Sequence, residues 1–297
     1  MQLPKKYQVC LYRFSNEPDK LKYHLSYIKS MNNLIFICGC GHSGTTLLWA
    51  MLSAHSRIYG IPYETGVFLN SAINNGQSLT ATRRAIVSCY LRMFGKRAKK
   101  GFSSFVRNGY LSYARTDFSI ITFFKNYLEL AGKNNKDIIC EKTPRHVLRI
   151  DRIKKIFPES CIVALVRNGL DVTASIKERR GDFDKAMNRW IHDNLALLEF
   201  QKKFPLHIVK YENLIINPEH ELREICRYCD IEYEENMMSY QNSPLDSMWK
   251  LELRREQVCQ PLIDRRGRWR GALTSSEVTK FRGNAGDLMK IFDYTFD

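Results

Sequence analysis

The run NLIFICG at residues 33–39, continued by CGHSGTT and then LLWAMLSAH, constrains this chain more than any other stretch. A short apolar run that ends in glycine predicts a buried parallel strand. Leu47, Leu48, Met51 and Leu52 then recur at helical spacing, which predicts a helix over 45–55. Strand, tight turn and helix in that order open an α/β nucleotide-binding fold. Gly39 and Gly44 carry the five-residue offset of a phosphate-gripping loop, yet Thr45 stands where an ATP- or GTP-cleaving loop has lysine. The backbone logic survives that loss. Gly41, His42, Ser43, Gly44, Thr45 and Thr46 supply a turn, successive N–H groups at a helix start, and hydroxyl donors. Such a cradle suits a single 5′-phosphate joined to a less charged group.

The rest of the chain alternates in the same way. KDIICEKTP (136–144) predicts a second strand with a proline stop, and HVLRIDRIKKIF (146–157) a helix. CIVALV (161–166) is the clearest strand, with Asp171 expected as the N-cap of the helix that follows. Residues 185–203 form a long amphipathic helix through Trp190, Leu195, Leu198 and Phe200. LHIVKYENL (206–214) predicts another strand and PEHELREICRYC (218–229) another helix, while 56–70 reads as a loop. Strands alternating with helices imply a central parallel sheet with helices on both faces. No repeat or linker divides 31–297, so it is expected to be a single domain, with 1–30 an N-terminal extension whose structure the pattern does not define.

Further anion-binding candidates stand outside the loop. Arg167 ends the strand CIVALV and Ser175 lies eight residues on, early in the next helix. A strand-end arginine and an early-helix hydroxyl can converge on one anion with the helix dipole assisting; pairing of Arg167 with Asp171 is the plainer reading. DRRGRWRGAL (264–273) sets Arg265, Arg266, Arg268 and Arg270 around Gly267 and Trp269. A solvated basic turn would look the same. The formal charge of +15 attracts anions without choosing among nucleic acid, membrane and small polyanions. Clustered aromatic–basic motifs of a nucleic-acid surface are weakly represented.

Together, GCGHSGTTLL, LVRNGLDVTASI, YENLIINPEHELREIC and GRWRGALT resemble the sulfotransferase family that uses 3′-phosphoadenosine 5′-phosphosulfate. The resemblance runs from about residue 33 to about 285 and is nearest to bacterial and tyrosylprotein sulfotransferases. It implies a P-loop-type sulfotransferase fold and sulfuryl transfer to a hydroxyl of a glycan, lipid, peptide or small molecule, without metal. It also implies a 5′-phosphosulfate cradle at 41–46, a 3′-phosphate site at Arg167 and Ser175, and closure by Arg265, Arg266 and Gly267. Glu64, in IPYETGVF, falls where the family places its catalytic glutamate base. Lys142, in CEKTP, falls where a family lysine contacts the transferring group. Adjacent strand residues face opposite ways, so Lys142 and Glu141 are not expected to pair. A kinase would instead need lysine at 45 and a magnesium carboxylate.

The absence of an apolar leader or an 18-residue apolar stretch leads to an expected cytoplasmic location. The nine cysteines, an odd number, are expected as reduced, mostly buried thiols. Cys226 and Cys229 sit three apart on a helix, without a second cluster at zinc-like spacing. Trp190 and His192 are expected in core packing, and His55 as a helix cap. Residues 71–135 are basic and aromatic; they are expected to shape the acceptor pocket, and their charge points to an acidic acceptor or to a solvated surface.

His42 departs from the resemblance, since related enzymes carry lysine or arginine there, near the bridging oxygen of the leaving phosphate, to which the histidine would donate a hydrogen bond. An imidazole with a reference pKa near 6.5 is not assured of its charge at neutral pH, although nearby phosphates favour the protonated form. His42→Arg is therefore expected to retain activity and to flatten any decline of rate between about pH 6 and 8. An unchanged pH–rate profile in that variant would remove the role.

Overall fold

A computed structural model describes residues 31, 33–61, 64–69, 117–242 and 262–296. Five strands form one sheet: β1 (Leu34–Gly39), β2 (Ile58–Gly60), β3 (Ile138–Lys142), β4 (Cys161–Val166) and β5 (His207–Lys210). They lie in the order β2-β3-β1-β4-β5, and every pairing is parallel. The helices are α1 (Thr45–Ser53), α2 (Asp117–Gly132), α3 (Ile150–Ile156), α4 (Gly169–Arg180), α5 (Phe183–Gln201), α6 (Tyr211–Ile216), α7 (Pro218–Tyr228), α8 (Trp269–Ala272) and α9 (Ser275–Ile291). The α/β expectation holds.

Alternation along β1 explains the two layers. Leu34, Phe36 and Cys38 face one core with Phe124, Phe157, Trp190 and Phe281. Ile35 and Ile37 face the other, with Leu48, Trp49, Leu222 and Ile225. A strand with apolar side chains on both faces can only sit in the middle of a covered sheet. The first core is aromatic: Phe36 meets Phe68 and Phe124 edge-on at ring distances of 5.6 and 5.3 Å. Such edge-to-face pairs add roughly 0.5–1.5 kcal/mol each beyond their buried area.

Several boundaries differ from the sequence expectation. The loop expected at 56–70 contains β2, a three-residue edge strand paired with β3. The helix expected at 146–157 divides into a 3₁₀ turn, Pro144–Arg149, and α3. β5 ends at Lys210, and Tyr211 already starts α6. Asn168, not Asp171, caps α4: its side chain accepts from the Leu170 and Asp171 N–H groups. On α5 the buried residues include Met187, Trp190, Asp193, Asn194 and Leu197, whereas Leu195 is 49% exposed and His192, expected in the core, is exposed. His55 does not cap α1. Its ring bonds the Glu232 carbonyl and accepts from the Arg57 N–H instead. The six described cysteines are free thiols. Residues 1–30, 70–116 and 243–261 lie outside the described residues, and with them most of the expected acceptor segment.

The sheet's carboxyl edge is where β1 and β4 stop and the loop begins. Gly39 has φ 140°, and a Cβ there would lie 2.2 Å from the Leu165 carbonyl oxygen. Both strain and collision fall on backbone, which cannot rotate away. Gly39→Ala is expected to cost about 3 kcal/mol or more, measured by urea unfolding. A loss under about 0.5 kcal/mol, the usual surface value, would contradict this geometry.

Candidate active site

The loop from Gly39 to Thr46 turns tightly, with the Ser43 N–H donating to the Cys40 carbonyl at 3.2 Å. His42 and Gly44 both adopt positive φ, 73° and 93°. Gly44 is required there, since a Cβ would meet the Tyr211 ring at 2.4 Å. α1 starts at Thr45 without a side-chain cap and without an acidic residue in its first turn. Its N–H groups thus lack the usual anionic or hydroxyl partner, while the helix dipole favours negative charge at that end. Ser43 is buried, and its Oγ has no hydrogen-bond partner among the described residues. Uncapped N–H groups and an unpaired buried hydroxyl fit a bound phosphate oxygen.

A cavity of about 680 Å³ opens beside the loop, within the usual range for small-molecule sites. Gly41, His42, Gly44, Thr45 and Thr46 line it, with Glu64, Lys142, Arg167, Ser175 and Arg265. Most of the residues singled out in the sequence therefore share one space. Ser43, within the loop, is buried and does not line the cavity. Arg266 is turned away, its guanidinium against Asp264 at 2.7 Å. Gly267 serves as a turn: its φ is 71° and its N–H donates to Asp171 Oδ2 at 2.9 Å.

Arg167 is 6% exposed. It donates to the carbonyls of His42 and Arg265, and its guanidinium lies 4.3 Å from the Tyr211 ring centroid. Asp171 Oδ2 is 3.7 Å away, but this carboxylate spends its oxygens on the N–H groups of Gly267 and Trp269. The plain Arg167–Asp171 pairing is thus only partly realised. Ser175 Oγ is 2.9 Å from His42 Nδ1, so the loop and α4 are joined where the resemblance puts two anion contacts.

Across the cavity, Lys142 Nζ donates to Glu64 Oε1 at 2.8 Å. The lysine is 3% exposed and the glutamate 54%. Glu141 faces the other way, as alternation requires. It is fully buried and accepts from Thr65 N, Thr65 Oγ1 and Thr143 Oγ1 at 3.2, 2.8 and 2.6 Å, with His146 Nδ1 at 3.0 Å. Burial alone would raise the Glu141 carboxyl, but His146 and the two threonines hold it below the ordinary glutamate value. This network clamps the segment after Glu64 onto β3 and so fixes where Glu64 stands. Sequence reading missed it; the available signal was a carboxylate inside the apolar strand IICEK. Arg145 and Arg189 also line the cavity and were missed.

The profile of the sulfotransferase family matches residues 34–235. A curated protein of Aquifex aeolicus is 25% identical over 221 residues, covering 69% of this chain and 26% of that one. The protein-tyrosine sulfotransferase of Drosophila melanogaster is 23% identical over 287 residues, covering 91% and 53% respectively. The chain thus spans about a quarter of one of these curated relatives and about half of the other. Among solved structures, the sulfotransferase domain of the Synechococcus PCC 7002 olefin synthase superposes with a TM-score of 0.67 at 18% identity, covering 89% of this chain and 95% of that one. That likeness speaks for the fold.

Glu141→Gln removes the charged acceptor of this buried hydrogen-bond network and is expected to cost about 3 kcal/mol at neutral pH. A carboxyl whose folded pKa is depressed contributes stability above its unfolded value and loses it as pH falls. The gap between wild type and variant should therefore narrow below about pH 4.3, the ordinary glutamate value. Urea unfolding at pH 7 and pH 3.5 checks this; an equal gap at both would exclude the charged network.

Proposed function

The chain belongs to the sulfotransferase family, and on that premise we propose that it transfers a sulfuryl group from 3′-phosphoadenosine 5′-phosphosulfate to an acceptor hydroxyl. The observation that carries the reading is the pairing of an uncapped helix start over buried Ser43 with the Lys142–Glu64 pair in the same cavity. The loop N–H groups and the hydroxyls of Ser43, Thr45 and Thr46 would hold the 5′-phosphate. Arg167 and Ser175 would face the 3′-phosphate, with Arg265 beside them. Arg266 and Gly267 act less directly: Gly267 shapes the turn that carries Arg265.

The donor supplies a sulfuryl group on a phosphate leaving group. Glu64, more than half exposed, is open to an entering acceptor and takes its proton as the new oxygen–sulfur bond forms. Lys142 donates to the sulfuryl oxygens, and the bond from sulfur to the bridging phosphate oxygen breaks in line. His42 places its ring between the loop and α4, against Ser175. Thr45 in place of lysine fits a donor without a terminal phosphate. Magnesium-dependent kinase chemistry has less support for the same reason.

The acceptor is a hydroxyl-bearing glycan, lipid, peptide or small molecule, and an acidic one suits the arginines that line the cavity, among them Arg145, Arg179 and Arg180. Free thiols suit the reducing cytoplasm. No helix among the described residues is long and apolar enough to cross a membrane.

Thermal unfolding with adenosine 3′,5′-bisphosphate, with ATP–magnesium and with duplex DNA separates the readings. The bisphosphate alone, without metal, is expected to raise the midpoint by several degrees, as ligand linkage requires. Stabilisation by ATP–magnesium only would exclude the proposed donor. Glu64→Gln should keep bisphosphate binding and lose at least about 100-fold in transfer, the usual scale for a lost general base. Wild-type turnover in that variant would remove Glu64 from the reaction.

A further inference from the structure

Arg189 belongs to none of the motifs that mark the site; it comes from the middle of α5. Its guanidinium nevertheless reaches the start of the loop, since a methyl group on Gly41 would lie 2.7 Å from Arg189 Nη2. The side chain lines the cavity and is 22% exposed. Behind it, one helical turn on, Asp193 is 2% exposed with Oδ2 3.6 Å from Arg189 Nε. Neither of those two atoms has a hydrogen-bond partner among the described residues. The buried carboxylate thus lies within ion-pair range of the guanidinium on the protein side, while Nη2 faces Gly41.

The loop's own cationic candidate points elsewhere. His42 Nδ1 is engaged with Ser175 on α4, on the Arg167 side of the cavity. The start of the loop is bordered instead by Arg189 beside Gly41, and Arg145 lines the same cavity. Lys142 follows β3 into the same space, next to β1 in the sheet. A guanidinium stays charged across the working pH range and presents paired donors to an oxyanion, whereas an imidazole does neither. Binding charge at a sulfonate needs a cation that is fixed in place before the ligand arrives.

We propose that Arg189, held by Asp193, is a donor-binding residue on the sulfuryl side of the loop and supplies the fixed positive charge that His42, turned to Ser175, does not. The assignment rests on the donor reading above. Titration calorimetry with adenosine 3′,5′-bisphosphate and with the phosphosulfate donor tests it, because only the second carries the sulfonate. Arg189→Gln is expected to weaken the donor at least about tenfold and the bisphosphate less than about threefold, as loss of one charged contact to the sulfonate would. The double variant Arg189→Gln with Asp193→Asn leaves no buried carboxylate unpaired, so it guards against simple unfolding and should show the same selective loss. Arg189→Lys should recover part of the donor affinity. Unchanged donor affinity, or equal loss for both ligands, overturns the assignment of Arg189 alone. Failure of the wild-type protein to bind the bisphosphate overturns the donor reading and this assignment with it.

Discussion

The Arg167 guanidinium sits buried at the end of β4, and segments distant in sequence close around it. The loop offers the His42 carbonyl, the C-terminal turn offers the Arg265 carbonyl, and α6 lays the Tyr211 ring beneath. The same ring touches Gly44, so loop, strand end and α6 are packed through one aromatic plane. A buried cation must be compensated, and here two carbonyl dipoles, a π-face and the Asp171 carboxylate at 3.7 Å share that work. The nearest carboxylate, Asp171, is committed to backbone N–H groups of the C-terminal turn. A site assembled this way is held together by the very group that gives it its field.

The supports of that cluster follow the same economy. Glu212 accepts from the Asn168 N–H at 3.0 Å and from the Tyr294 hydroxyl at 2.6 Å, tying the turn after β4 to the C-terminal end of the chain. Lys177 on α4 reaches Glu277, which also closes a capping box with Thr274 at the start of α9. Both carboxylates are spent on geometry outside the cavity. Facing the ligand space are mostly cations: Lys142, Arg145, Arg189 and Arg265, against Glu64 and Glu178. The net charge of +15 says little by itself, because many surface lysines and arginines are paired locally and exposed pairs contribute little. What matters is that the cavity's cations exceed its anions in a partly desolvated space, where their field is stronger than in water.

How legible this was in the sequence depended on whether a feature was local. β1, the loop and α1 were readable because apolar period, glycine spacing and helix phase act over a few residues. β4 with Arg167 and Ser175 was readable for the same reason. The two-sided burial of β1 was implied by its unbroken apolar run. By contrast, β2 is three residues long and is defined by its pairing with β3, far along the chain. Asp171 has the residue type and position of a cap, but Asn168 precedes it and takes the N–H groups first. Freed from that duty, Asp171 holds a turn almost a hundred residues away.

Arg189 shows the same limit at the site itself. Its neighbour Trp190 fixes the phase of α5 by burying its ring against Phe281 and donating to the Arg167 carbonyl. Once that phase is set, the residue before the tryptophan points about 100° around the helix, toward Gly41, and Asp193 follows one turn later on the same face. Nothing in RWIHD says that the loop will be there to meet it. The absence of a side chain at Gly41 makes the approach possible, and a glycine's role as an empty space has no periodicity to betray it. A constellation built from a strand-end loop and a helix 140-odd residues on becomes visible only when the sheet order has placed β1 between β3 and β4.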